Sequence, residues 1–343
     1  MDITFMKKIF ILVSIFISLS LGLLAYLFFN ADSNTKVIYK DKIIIGYAPW
    51  PGYAGLFIAD SKEYFKEAGL DIELKAYPGF EELSKDYVAG SIQGRANITL
   101  EAINEAYGGL EHRIVAAIDY SNGSDGIIAS RNIKAIKDIK GKRVAFEHGT
   151  LEEFFLRYAL DQNQLGLNDI IPINLNPEES AEAISSGIAD VAVTYEPFMS
   201  KALAQIGGNK IYSSADAPGL VTDVLTFRLD FINEHSDAIQ AIVGAYFKGI
   251  KLFKDSPQEA NIILAKYLGV SVDQVPAQLN GVTILSLDDN KNAFTFAVGL
   301  QSLYGNMRQI GEFIKDIHSK DSKDFSFDTD LMIEPLFIRK VLK

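Results

Sequence analysis

The sequence predicts an α/β protein of two lobes, and three observations carry that expectation. Short apolar runs, suited to strands buried on both faces, alternate with stretches whose apolar residues recur at helical spacing, which means α/β with a mostly parallel sheet in each lobe. A chain of 343 residues exceeds what one hydrophobic core usually serves, so two lobes are expected. With 48% apolar and 11% aromatic residues, the chain has the material to fill both, which a disordered chain lacks.

In order, "KIIIGYA" from Lys42 reads as a strand ending at Gly46, followed by "YAPWPGY", a stiff aromatic-proline-glycine loop over residues 47–53. Leu56, Phe57, Tyr64 and Phe65 recur at helical spacing, with Ala68-Gly69 as the stop. "DIELKAY" alternates with period two, and "FEELSKDYVAG" is a helix that again closes on glycine. "RANITL" and "HRIVAAIDY" read as strands, and "KDIKGKRVAFE" as a turn into a strand. Leu151, Phe154, Phe155 and Tyr158 form the apolar stripe of a helix starting near Thr150. Pro177 suits a first helical turn, and "ADVAVTYE" is one more strand. Beyond Asp230 long helices take over, with "FINEHSDAIQAIVGAYFKGIKLF" the clearest.

Charge and motifs narrow the function. A net charge of −11 argues against nucleic acid and against a basic membrane-binding surface. The lack of cysteine removes disulfides, thiolate metal sites and cysteine nucleophiles together, which fits an exported bacterial protein. His112, His148, His235 and His318 are far apart without metal-ligand spacing, so no zinc site and no cofactor are expected. Neither nucleotide fingerprint occurs, and there is no G-x-S-x-G elbow.

The N-terminus reads as an export signal. Lys7 and Lys8 precede the uncharged apolar run Ile9–Phe29, and the polar tract "NADSNTK" follows. The run exceeds a usual signal core and is long enough to span a bilayer, while "FFNA" is a poor cleavage site. An uncleaved anchor is therefore favoured over a cleaved signal, residues 1–35 being set apart as anchor or signal plus linker. Without cysteine the protein is not a lipoprotein.

"GYAPWPGYAGLFIADSKEYFKEAGLDIEL" resembles the substrate-binding proteins of nitrate/sulfonate/taurine-type ABC transporters, a group whose domain is shared with proteins for the thiamine pyrimidine precursor. Strand, aromatic loop, helix and alternating strand stand in the family's order. "AGSIQGRANITLEAI", "IDYSNGSDGIIA", "IKDIKGKRVAFEHGT", "AISSGIADVAVTYEPF" and "SSADAPGL" extend the likeness over about residues 42–285. Two departures stand out: Gly94-Arg95 where the family often has Asp-Gly, and Tyr195 where it has Trp, beside the implied ligand. The resemblance implies a type II periplasmic binding protein, two α/β lobes with a ligand cleft between them. One lobe would comprise residues 42–122 and 223–343, the other 123–222, with hinges near 119–126 and 216–226.

Site candidates lie where strands end. Trp50, the only tryptophan, and Tyr53 would form a rigid aromatic wall rather than a packing plug. Thr99 and Glu101 sit where a strand turns into a helix, Thr99 being equally suited to capping it. Ser121 and Asn122 mark the first lobe crossing, although a tight turn would want the same residues. Gly149 and Thr150 would present free backbone N–H groups at a helix start, a cradle for an anionic or carbonyl oxygen. Glu196 ends an otherwise buried strand, where a ligand N–H or cation is its obvious partner, unless it is a solvated helix-start carboxylate. With Asp223 and Glu101 near, the pocket reads as more acidic than a sulfonate should want, and only His148 and Arg228 argue the other way.

The expected function is an extracytoplasmic solute-binding protein, not an enzyme, that captures a small organic molecule and delivers it to an ABC permease with its ATPase. The alternatives are a fold-related biosynthetic enzyme of the pyrimidine or menaquinone type, and a membrane-tethered sensor domain.

Overall fold

In a computed structural model, the chain is described over residues 39–319 and 328–342. The apolar run at Ile9–Phe29, expected to anchor or export the chain, lies outside the described residues. Among the described residues no helix is long and apolar enough to cross a membrane.

Two sheets organise the fold. The first contains β1 (Ile43–Tyr47), β2 (Ile72–Ala76), β3 (Gly94–Ile98), β4 (His112–Ser121), β10 (Thr222–Arg228) and β11 (Val282–Ile284), in the order β11-β4-β10-β3-β1-β2. The second contains β5 (Asp125–Ala129), β6 (Arg143–Phe146), β7 (Ile171–Asn174), β8 (Val191–Tyr195) and β9 (Asn209–Ser213), in the order β7-β6-β8-β5-β9. The chain thus builds four strands of the first sheet, completes the second, and returns to finish the first. These are two α/β lobes of the type II periplasmic binding class.

Both sheets are mixed: β1, β2, β3 and β4 run one way in the first and β6, β7, β8 and β9 in the second, as a mostly parallel sheet would have them, and the remaining strands run against them. In the first, β1 pairs parallel with β2 and β3, but β10 runs antiparallel to β3 and β4, and β11 to β4. In the second, β6 pairs parallel with β7 and β8, whereas β5 runs antiparallel to β8 and β9. The reversed strands are β10 and β11 in the first sheet and β5 in the second, and β5 and β10 are the strands that the chain enters after each passage between sheets.

The helices are α1 (Ala54–Ser61), α2 (Tyr64–Glu67), α3 (Phe80–Val88), α4 (Thr99–Tyr107), α5 (Leu151–Asp161), α6 (Pro177–Ser185), α7 (Phe198–Ile206), α8 (Leu229–Glu234), α9 (Ser236–Asp255), α10 (Pro257–Leu268), α11 (Val275–Leu279), α12 (Leu287–Ala293), α13 (Leu303–Ile317) and α14 (Leu336–Val341). Asn176 caps α6 by accepting the Glu179 N–H at 2.9 Å, with Pro177 in the first turn as its fixed φ favours. Two single helices expected from periodicity are broken. Glu63 adopts the left-handed region, φ 58°, and separates α1 from α2. His235, at φ −135° and ψ 42°, separates α8 from α9. Apolar spacing continues across both breaks, so periodicity could not reveal them.

Helices α1 and α9 pack against each other through buried apolar side chains. Ile242, Tyr246 and Ile250 of α9 are buried, as are Leu56 and Phe57 of the facing α1. Burial of such side chains stabilises the fold by roughly 1.5–3 kcal/mol each.

Candidate functional site

At one end of the first sheet, the carboxyl ends of β1, β3 and β4 meet the start of β10. Trp50 and Tyr53 come from the loop after β1, where Pro51, Gly52 and Tyr53 make one short 3-10 turn. Asp223 lies directly across from Asp119 of β4 and from Ile98 of β3 in the antiparallel register. The Trp50 Nε1–H donates to Asp119, 3.1 and 3.3 Å from its two oxygens, and the Tyr53 hydroxyl donates to Asp223 Oδ1 at 2.8 Å. Tyr53 and Asp119 are fully enclosed, Asp223 nearly so, and Trp50 is half-buried.

Gly52 makes this arrangement possible. A Cβ at that position would stand 1.9 Å from Asp119 Oδ2 and 2.6 Å from Trp50 Nε1. The loop carries no side chain at the one point where indole and carboxylate come together.

Like charges directly opposite on neighbouring strands are unfavourable, and burial adds to the penalty. Both effects raise the carboxyls. Burial first, and then the charge of Asp223, holds Asp119 well above the usual carboxylate range, while its bond to Trp50 opposes them. Asp223 is likewise raised, chiefly by burial, against the pull of the Tyr53 hydrogen bond.

The second sheet brings more acid to its matching end. Burial pushes Asp125, at the start of β5, up to about 6, and its charge acts on both Asp119 and Asp223. Burial pushes Glu152, in the first turn of α5, up to about 7, with Asp125 and Glu147 adding repulsion. Tyr195, facing Asp125 in the β5–β8 register, is raised by burial and then by these same charges.

The remaining candidates fall into three groups. Thr99 is buried as the first residue of α4 rather than its cap, which is Ile98. Glu101, two residues on, is raised by burial. Ser121 ties the passages together: its Oγ lies 2.7 Å from Ser214 Oγ, and its N–H donates to the Val221 carbonyl at 2.9 Å. Asn122 is exposed and spends its side chain on Thr283, at 3.1 Å.

The N–H of Gly149 is not free as expected, because it donates to Glu153 Oε2 at 2.9 Å. Thr150 directs its hydroxyl to the Glu147 carbonyl at 2.9 Å and to Glu152 Oε2 at 2.6 Å. The cradle read as an anion seat therefore already holds carboxylates of this chain. Glu196 turns to its own helix, accepting from the Ser200 N–H at 3.1 Å and hydroxyl at 2.7 Å. The structure thus groups Trp50, Tyr53 and Asp223, and sets Glu196 and Asn122 apart.

Sequence reasoning singled out neither Asp119, Asp125 nor Glu152. Asp119 carried a signal, an acid directly after the apolar run "IVAAI" of β4.

A family model described as NMT1/THI5 like matches residues 50–260, well over half of the chain. The chain belongs to the NMT1/THI5-like family. This NMT1/THI5-like chain is 23% identical to an Escherichia coli (strain K12) protein named for binding aliphatic sulfonates, over 69% of this chain and 74% of that one. Its fold matches the crystal structure of the periplasmic aliphatic sulphonate binding protein SsuA from Escherichia coli, with TM-score 0.65 and 20% identity, covering 88% and 97% of the two chains. The same fold occurs in the desulfurization enzyme DSZB, with TM-score 0.61 and 14% identity over 88% and 99%.

Proposed function

We propose that this chain is an extracytoplasmic solute-binding protein that captures a small organic molecule between two lobes and presents it to an ABC permease and its ATPase. The observation that carries this reading is the convergence of the half-buried Trp50, the Asp119–Asp223 pair and the Asp125–Glu152 group at the ends of the two sheets. Open α/β sheets bind ligands beyond the carboxyl ends of their strands. In this reading residues 42–122 and 223–343 form one lobe and 123–222 the other, with Trp50, Tyr53, Thr99, Glu101 and Asp223 on the first wall and Gly149 and Thr150 on the second. The basic, then apolar, N-terminus supports export, and the periplasmic protein SsuA shares the fold.

A thermal-shift screen of the full chain with sulfonates, pyrimidines, amines and amino acids tests the reading. A ligand of the native state alone, present at a hundredfold over its Kd, adds about 2.7 kcal/mol. Small-angle scattering with the hit should show compaction, since closure about the passages is the capture step. A hit without compaction would remove capture by closure.

The likeness to DSZB favours one second reading, a fold-related enzyme. Conversion of the hit to a product by the purified protein would support it over transport.

A further inference from the structure

If a solute is captured between the sheets, as the transport reading holds, the chemistry of the cleft wall narrows its class. Asp119 and Asp223 stand opposite one another on adjacent antiparallel strands. An ionised carboxylate offers about four acceptor positions. Asp119 is fully enclosed, yet its two oxygens share a single N–H, that of Trp50. Asp223, only 3% exposed, gives one oxygen to Tyr53, and no donor among the described residues reaches the other. Both donors are neutral. Among the described residues, no lysine, arginine or histidine forms an ion pair with Asp119, Asp223, Asp125 or Glu152.

A chain under no other constraint would not keep two such groups together, because a buried charge is costly unless it is paired. Gly52 leaves the space that Asp119 occupies, since a Cβ there would stand 1.9 Å from Asp119 Oδ2. The half-buried indole of Trp50 beside Asp119 adds an aromatic face of the kind that attracts a cation. An anion is poorly served here. It would meet four acidic side chains, and the helix start that would have received it is occupied by Glu153. A bare metal ion is poorly served as well, since among the described residues no three acidic or histidine groups stand close enough to hold one.

Resting on the transport reading, we infer that the solute is an organic cation, an ammonium or amidinium, whose N–H groups are read by Asp119 and Asp223 together, with Asp125 and Glu152 supplying further negative charge from the second sheet. The ligand then completes an ion pair that the protein leaves open.

The test uses the full chain and three isosteric sets: butylamine and benzamidine as cations, butyramide and benzamide as neutral forms, and butanesulfonate and benzenesulfonate as anions. A cation should bind at least tenfold tighter than its neutral isostere, and the sulfonates should not bind. In Asp119→Asn/Asp223→Asn that cation should lose more than tenfold in affinity, while the unliganded variant melts higher than the parent, because relief of like-charge repulsion stabilises the empty protein. Tyr53→Phe, which frees an Asp223 oxygen without touching charge, should retain the preference for cations. Tightest binding by a sulfonate or an amide overturns the inference and leaves solute capture standing. Undiminished cation binding in the double variant overturns it equally, and would mean that the pair only shares a proton. Failure of every compound to bind removes the inference together with the transport reading.

Discussion

Two acidic groups lie buried against the same sheet, and they have been treated in opposite ways. Behind β3, Glu105 of α4 is paired with the Arg95 guanidinium, accepts from the Ser84 hydroxyl, and has the His112 ring 3.7 Å away. At the strand ends, Asp119 and Asp223 are as deeply enclosed but meet only an indole N–H and a phenol. Desolvation penalises both groups alike; what differs is whether the chain supplies the counter-charge. A carboxylate with its own arginine is part of the scaffold. A carboxylate pair without one is a place prepared for something from outside.

The largest effect should come from breaking the charge-matched pair, whose Arg95 Nε and Nη2 and Glu105 Oε2 already lack hydrogen-bond partners. Arg95→Met strands Glu105 without its cation, and truncating one partner of a buried ion pair costs on the order of 3–5 kcal/mol. The low end, about 3 kcal/mol, is expected, since burial already lifts Glu105 to about 7 and it can take up a proton. Urea denaturation at pH 8 measures this, and Arg95→Met/Glu105→Gln should recover part of the loss. If the single substitution is neutral, the two groups are not the opposites described.

Next in size is the substitution that closes the space beside Asp119. Gly52→Ala puts a Cβ 1.9 Å from Asp119 Oδ2, so the loop or the carboxylate must move, at about 1–3 kcal/mol of stability. Affinity for the cation should fall along with stability. A crystal structure of the variant showing Trp50 still bonded to Asp119 would contradict this.

The comparison also fixes the sign of the pH response. In the unfolded chain, Asp125 and Glu152 titrate near 4; in the fold they are held at about 6 and about 7 by burial. Folding favours their protonated forms, so their contribution is complete below about pH 4 and is lost as pH rises through 6 and 7. Asp119 and Asp223 act in the same sense. His112 opposes them: burial depresses it to about 4, so its contribution is present above about 6.5 and is lost as pH falls towards 4. Four carboxyls outweigh one imidazole, and the empty protein should melt higher at pH 5 than at pH 8. A saturating cation should shrink that difference, which calorimetry at the two pH values would show.

The smallest effect is expected at Glu196. Its oxygens are taken by Ser200 of its own helix, so Glu196→Gln should change cation affinity by less than about twofold and stability by roughly 0.5–1 kcal/mol. Titration calorimetry checks it. A tenfold loss would move the reading centre of the site into the second sheet.

What could be read in the sequence follows the same division between local and long-range causes. β1 and β8 were legible because a strand buried on both faces leaves a nearly continuous apolar run. β9 and β11 were not, since "NKIYS" and "VTI" are edge strands whose partners alone make them strands. Trp50 and Asp223 could be suspected from chemistry placed at a strand exit. That Asp119 faces Asp223 depends on the register of two strands about a hundred positions apart, which no local pattern encodes. The same limit explains Gly149, whose N–H looked free until the fold turned Glu153 back upon it.

The Ser214 hydroxyl has a mechanical consequence. It lies 2.7 Å from Ser121 Oγ, also accepts from the Gly123 N–H at 2.7 Å, and so, together with the Ser121 N–H bond to the Val221 carbonyl, fastens one passage between the sheets to the other. Two ribbons riveted together in this way resist sliding apart. If capture closes the lobes, as the transport reading holds, the movement would be a rotation about an axle through that rivet, with the far edges sweeping the widest arcs. A pair of dyes on the exposed Ile171 and Ile262, one on each lobe and far from the rivet in the chain, would turn that rotation into an optical signal. The protein would then serve as its own sensor for whatever fills the cleft.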